Sequence, residues 1–116
     1  MQRLRGLLAA VLVLALAACG ASPHKNIESV QSLATEGALL ARQSEHGDAT
    51  TVFVRVHAGY LKQEANKLAH ALAGQRELRA SRVASAVARD LERLRHGAAV
   101  SADLERLARR AEQLAK

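Results

Sequence analysis

Apolar side chains recur with helical spacing along most of the chain. After residue 25, aliphatic residues return every three or four positions, which is the period of one face of an α-helix. Four stretches show such a stripe: Ile27, Val30, Ala34, Gly37 and Ala41; Val54, Ala58, Leu61, Ala65, Leu68 and Leu72; Ala80, Val83, Val87, Leu91 and Leu94; and Leu104, Leu107, Ala111 and Leu114. A one-sided stripe has to be buried against another element, so the pattern predicts helices that pack together.

Three glycines divide the helical pattern, because Gly47, Gly74 and Gly97 each follow a periodic run. Glycine readily adopts the left-handed conformation that closes many helices. We therefore predict four helices, over residues 26–46, 49–73, 75–96 and 102–115. Short loops favour antiparallel neighbours, so the predicted fold class is all-α, a small antiparallel up-down bundle. The alternative is a three-helix core with a loosely attached fourth helix.

The first two helices each contain an internal glycine. A hairpin that turns near Gly47 would place Gly37 of the first helix opposite Gly59 of the second. Glycine in a helix interior costs up to about 1 kcal/mol, so a packing reason is expected. We predict that the first two helices approach each other closely at this pair.

Phe53 and Tyr60 are the only aromatic residues of the chain. The core must therefore consist of Leu, Val and Ala, which suits close-packed helices and provides little lining for a small-molecule pocket. Phe53 and Tyr60 lie on one face of the second helix, beside its main stripe. Core packing is the favoured role for both, and contact with a partner protein is the alternative.

The net charge of +6 is concentrated in the second half of the chain. Residues 75–116 contain ten basic and six acidic side chains. Such a run is usually a solvated helix face, and that interpretation is favoured here. The alternative is contact with an anionic surface, such as lipid headgroups or cell-wall polymers.

No motif of the chain indicates catalysis or a bound cofactor. His46 and His96 each precede a glycine at a predicted helix end, but no third metal ligand is indicated. Cys-x-x-Cys-His and Glu-x-x-His patterns, which would hold haem or a di-iron centre, are absent from the sequence. We therefore predict no catalytic residues, no cofactor and no metal site, and do not expect an enzyme.

The N-terminus has the composition of a signal peptide. Basic residues Arg3 and Arg5 precede an apolar run from Leu7 to Ala18. This run is shorter than the roughly 20 residues that a membrane-spanning helix needs, and fits the apolar region of a signal peptide. It ends in Leu16-Ala17-Ala18-Cys19, which contains the only cysteine of the chain.

The Leu-Ala-Ala-Cys sequence resembles the lipobox of bacterial lipoproteins. The resemblance implies that the Cys19 thiol receives a diacylglyceryl group, that cleavage follows residue 18, and that the new amine is acylated, for example with palmitate. It implies a signal peptide over 1–18 and a lipidated Cys19. With the helical pattern of the rest of the chain, the expected division is a lipidated cysteine and tether over 19–25 and a helical bundle domain over 26–116. It covers residues 1–19 only, and the mature domain resembles no family that we recognise.

These patterns predict a cell-envelope lipoprotein, anchored through Cys19 in the cell membrane or outer membrane on the extracytoplasmic side. Its expected role is non-catalytic binding or structure, in which a helical surface is presented to another envelope protein or to a second copy. This location argues against a nucleic-acid partner. The alternative function is that of a solute- or metal-binding lipoprotein.

Overall fold

The computed structural model describes residues 21–116, which fold into four α-helices without a β-strand. Helix α1 spans Pro23–Glu45, α2 spans Thr51–Gly74, α3 spans Leu78–Arg95 and α4 spans Ser101–Ala115. The predicted all-α fold with four helices is confirmed. Cys19 and the signal peptide over 1–18 lie outside the described residues.

Two helices begin with side-chain caps. Ser22 Oγ accepts a hydrogen bond from the Lys25 amide at 3.2 Å, and Pro23 occupies the first turn of α1. Thr50 caps α2 in the same way, by accepting from the Phe53 amide at 3.2 Å. Such caps satisfy amide groups that a helix start leaves unpaired. Helix α1 begins at Pro23, three residues before the predicted helix start at residue 26, so it includes residues 23–25.

Left-handed residues follow three of the helices. Gly47 has φ of 72° and Gly97 has φ of 87°, as predicted from their positions. The prediction for Gly74 is wrong, because Gly74 is still helical and Arg76 adopts the left-handed conformation, with φ of 61°. The amide of Glu77 then donates to the Leu72 carbonyl at 2.9 Å and closes α2. For a residue with a Cβ, this conformation costs roughly 1–2 kcal/mol.

Two helix pairs, α2 with α3 and α1 with α4, share the most extensive contacts. Ser81 near the start of α3 donates to the Ala69 carbonyl of α2 at 2.8 Å. Further along α3, Glu92 accepts a hydrogen bond from Lys62 of α2 at 2.9 Å. At the other pair, Ser101 Oγ donates to Glu45 Oε2 at 2.7 Å. These contacts are those expected of an up-down order, which itself stays a prediction.

Helix α4 is an integral part of the bundle. Leu104 is fully buried, and only 1% of Ala111 and of the preceding Val100 is exposed. Leu104 packs beside Gly37 of α1, and a salt bridge joins Arg42 to Glu105. The alternative of a three-helix core with a loosely attached fourth helix is therefore wrong.

The two internal glycines, Gly37 and Gly59, face different neighbouring residues. A Cβ built on Gly37 would lie 2.9 Å from Leu91 Cδ2 and 3.4 Å from Leu104 Cδ1, so this glycine makes room for α3 and α4. A Cβ on Gly59 would instead lie 3.6 Å from Arg95 Nε. The prediction that the two glycines face each other is therefore wrong.

The start of α1 is fixed to the loop between α2 and α3. Asn26 is the one buried polar residue of the described chain, and its amide donates to Gln75 Oε1 at 3.1 Å. Gln75 in turn donates through Nε2 to the Ala21 carbonyl at 2.9 Å. The chain is therefore held in place from Ala21 onward, directly after the predicted lipidation site.

Substitution of the two glycines by alanine should change stability in opposite directions. Gly37→Ala pushes a methyl group into the fully buried Leu91 and should lower the free energy of unfolding by about 1 kcal/mol or more, despite the better helix propensity. Gly59→Ala meets only ordinary van der Waals contact and should raise it by roughly 0.5–1 kcal/mol. Urea unfolding checks both values. A stabilising Gly37→Ala would contradict the described packing around Leu91 and Leu104.

Candidate interaction surface

Helix α2 carries two apolar stripes, and the structure buries only one of them. The buried stripe comprises Val54, Ala58, Leu61, Ala65, Leu68, Ala69 and Leu72. The second stripe remains in solvent, with 69% of Val52, 53% of Phe53, 69% of Val56 and 59% of Tyr60 exposed. We call these four residues the outer face of α2. Positions 52, 56 and 60 follow the four-residue repeat of one helix face, so the exposed side chains form a continuous strip.

The favoured prediction that Phe53 and Tyr60 pack in the core is wrong, because more than half of each side chain is exposed. Contact with a partner stays a prediction that this exposure supports. Sequence reasoning did not identify Val52 and Val56 as members of the same surface. The signal was present as apolar residues at 52, 56 and 60, a second four-residue repeat beside the first.

The ring of Phe53 has a fixed orientation. It stacks on the His57 ring with centroids 5.5 Å apart and an interplanar angle of 7°. His57 Nε2 lies 3.2 Å from Glu36 Oε1, which connects this pair to α1. Because the ring is already ordered, docking a partner on it loses less side-chain entropy than docking on a free ring.

Charged side chains lie on both flanks of the outer face. Successive helical residues turn by about 100°, so Arg55 lies on one flank and Glu64 lies on the other. A groove of about 500 Å³ between α1 and α2 runs along the second flank and is lined by Leu33, Glu36, Tyr60 and Glu64 among others. Glu64 forms a salt bridge with Lys67 at 3.3 Å and Glu36 lies 3.2 Å from His57, so both carboxylates of this flank already have partners on the protein itself.

An ion-pair network centred on Glu92 joins α2 to α3. Glu92 accepts hydrogen bonds from Lys62 at 2.9 Å and Arg95 at 3.0 Å, and its other oxygen lies 3.1 Å from His96 Nε2. The hydrogen bond from Lys62, followed by those from His96 and Arg95, outweighs partial desolvation and lowers the pKa of Glu92 from 4.5 to about 2. Since Arg95 also lies across Gly59, the network is packed against α2.

A second cluster joins α3 to α4. Arg93 donates to Asp90 at 3.3 Å and to Asp103 at 3.4 Å, and Arg106 also pairs with Asp103. Burial raises the pKa of Asp90, and the negative charge of Asp103 acts in the same direction, while the hydrogen bond from Arg93 opposes them. Several arginines of the basic C-terminal half are thus engaged with acidic neighbours on the protein itself.

Within residues 21–116, no three His, Cys, Asp or Glu side chains come together as a metal site would require. His96 is engaged with Glu92 and His57 with Glu36. A search of the same residues for a helix long and apolar enough to cross a membrane finds none. The clearest feature of this surface is its exposed apolar strip. Such a strip can take part in association, because contact with another apolar surface removes it from water.

The chain matches no protein-family model, and no curated protein or solved structure shows significant similarity to it.

Acid should weaken the α2–α3 contact through Glu92. Its pKa is lower in the folded protein than the ordinary 4.5, so its stabilising contribution is complete above pH 4.5 and is lost as the pH falls toward 2. In Glu92→Gln this contribution is absent. The difference in free energy of unfolding between wild type and variant, measured by urea unfolding, should therefore shrink over that interval.

Lys62→Gln is the matched control, because it removes the first donor to Glu92 but keeps the carboxylate. Its acid dependence should fall between those of the wild type and Glu92→Gln. If the difference between wild type and Glu92→Gln were constant from pH 5 to pH 2, the described network would be contradicted.

Proposed function

We propose that the protein is a cell-envelope lipoprotein, anchored in the membrane through lipid on Cys19, with a non-catalytic binding role. The sequence Leu16-Ala17-Ala18-Cys19 is the observation that supports the anchor. The folded domain begins at once after it, since Ser22 caps α1 and Ala21 is hydrogen-bonded to Gln75. A domain ordered this close to Cys19 would be held near the bilayer surface.

The outer face of α2 is the surface that carries this proposal. Burial of apolar area stabilises association by about 25 cal/mol per Å², and exposed contiguous apolar patches commonly mark interaction sites. Val52, Phe53, Val56 and Tyr60 point into solvent although α2 already supplies a complete stripe to the core. Folding of the single chain therefore leaves more than half of each of these side chains exposed, and association would bury them.

We assign this surface to a second copy of the same chain. Two copies anchored in one membrane leaflet are related by a two-fold axis along the membrane normal, and this axis makes the two α2 helices parallel when α2 runs along the normal. In a parallel α2 pair, the flank of each copy that carries Arg55 faces the flank of the other copy that carries the Glu64–Lys67 pair. Val56 lies near the middle of the outer face, so in this arrangement it comes close to its own copy near the axis.

The anchor is tested by expressing the full chain and its Cys19→Ser variant in a bacterial host. The wild type should enter the detergent phase on phase separation, and the mass of its N-terminal peptide should include acyl groups on residue 19. Cys19→Ser should stay in the aqueous phase. An N-terminal peptide of the wild type without lipid would overturn the anchor.

The self-association is tested by oxidative crosslinking of lipidated Val56→Cys in membranes. Val56→Cys should form a disulfide-linked dimer, because residue 56 approaches its own copy across the axis. Leu39→Cys on α1 is the matched control, as its side chain is also more than half exposed but lies outside the outer face. Equal crosslinking of the two variants, or none at 56, would overturn the dimer.

A charge on the outer face provides a second readout. Val56→Glu should abolish the dimer in detergent, as measured by sedimentation, and should change the free energy of unfolding of the monomer by no more than about 0.5 kcal/mol, because the side chain is exposed. A dimer that survives Val56→Glu would show that another surface is responsible.

A further inference from the structure

One end of the bundle gathers elements from all four helices. Ile27 near the start of α1, Ala80 near the start of α3 and Leu114 near the end of α4 line one small cavity. The end of α2 joins them, because Gln75 is hydrogen-bonded to Asn26 and to the Ala21 carbonyl. We call this end, formed by residues 21–25, 73–79 and 112–116, the anchor pole.

The surface of the anchor pole combines one exposed leucine with basic side chains. Leu78 is 58% exposed and stands between the exposed Arg76 and Arg79. Lys25 and Lys116 are also exposed on this pole. Its exposed acidic side chains are Glu77 and Glu112. None of these four basic groups forms a salt bridge with the acidic side chains of residues 21–116, in contrast to Arg42, Arg93, Arg95 and Arg106.

Arg76 occupies a backbone conformation in which glycine would be less strained. Its φ is 61°, in the left-handed region, while the two other loops have glycine in that region. Residues kept in unfavourable backbone regions are frequently found at functional sites, where the side chain has a role. At this position the backbone conformation carries a guanidinium group on the exposed surface of the anchor pole.

The chain leaves the described structure at the same pole. The Ala21 carbonyl accepts a hydrogen bond from Gln75, which is next to Arg76 in sequence. Cys19 precedes Ala21 by two residues. Two residues span at most about 7 Å. A lipid on Cys19 would therefore enter the bilayer close to Leu78 and its neighbouring arginines.

We infer that the anchor pole rests on the membrane, with Leu78 in the headgroup region and Arg76 and Arg79 in contact with anionic lipid phosphates. This inference rests on the proposed lipid anchor and adds an orientation to it. An aliphatic side chain flanked by basic ones suits the interface, because the leucine is buried among lipid while the guanidinium groups stay at the phosphates. The helices then stand away from the bilayer surface.

The test uses the full-length lipidated protein, reconstituted in vesicles with an environment-sensitive dye at residue 78. Leu78→Cys carries the dye, and Leu39→Cys is the matched control, with 56% exposure against 58%. Residue 39 lies about 24 Å along α1 from Pro23. In vesicles that mix phosphatidylglycerol with phosphatidylcholine, the dye at 78 should shift to the blue and be quenched by doxyl-labelled lipid several-fold more than the dye at 39.

The arginines are tested in the same vesicles. Each basic residue near an anionic surface contributes about fivefold in affinity, so Arg76→Gly should lower the quenching at 78, and added salt should do the same. Arg76→Gly should also raise the free energy of unfolding, because glycine accepts the left-handed conformation. If Arg76→Gly is more stable and yet loses membrane contact, the loss comes from the missing guanidinium group and not from damage to the fold.

The outcomes distinguish this inference from the proposal on which it rests. Mass analysis of residue 19 is done on the same preparation. Lipidated protein with equal quenching at 78 and 39, or with quenching insensitive to Arg76→Gly, overturns the inference and leaves the anchor standing. Absence of lipid on Cys19 overturns both.

Discussion

The contact of Leu91 and Leu104 with the bare backbone of Gly37 is the constraint on which the arrangement of the bundle depends. Both leucines are fully buried, and a single Cβ on Gly37 would meet Leu91 at 2.9 Å. Three helices therefore come together at one residue without a side chain. A core built from alanine and leucine offers little bulk, so close approach of the backbones provides the packing that larger side chains would otherwise supply. The position of α4 follows directly, because Leu104 is one of its few buried residues.

The sequence was sufficient to predict the four helices and two of their ends, because helical periodicity and glycine placement are local properties. It was insufficient to predict which of the other helices each face would contact. Counting from the turn near Gly47 pairs Gly37 with Gly59, but the direction in which each glycine faces depends on α3 and α4. Gly74 was assigned the left-handed position on residue type, although the chain places Arg76 there.

The same limit explains why the candidate site was only partly found. Phe53 and Tyr60 were recognised as one face, and their apolar character favoured the core. However, α2 has two apolar stripes, and periodicity alone cannot decide which of two stripes the other helices will cover. In the structure the other helices cover the stripe that contains Val54, Leu61 and Leu72. Val56 and the two aromatic residues remain exposed to solvent. The self-association proposed above would bury this second stripe.

The hydrogen bonds of Gln75 have a mechanical consequence. The Ala21 carbonyl and the buried Asn26 amide both contact this one side chain, so the N-terminal end of α1 is tied to the end of α2. A pulling force applied at the N-terminus of the domain would thus be shared between two helices from the first described residue onward. Peeling of α1 from the bundle would first require rupture of this link, so Gln75 resists separation of α1 from the end of α2 under load.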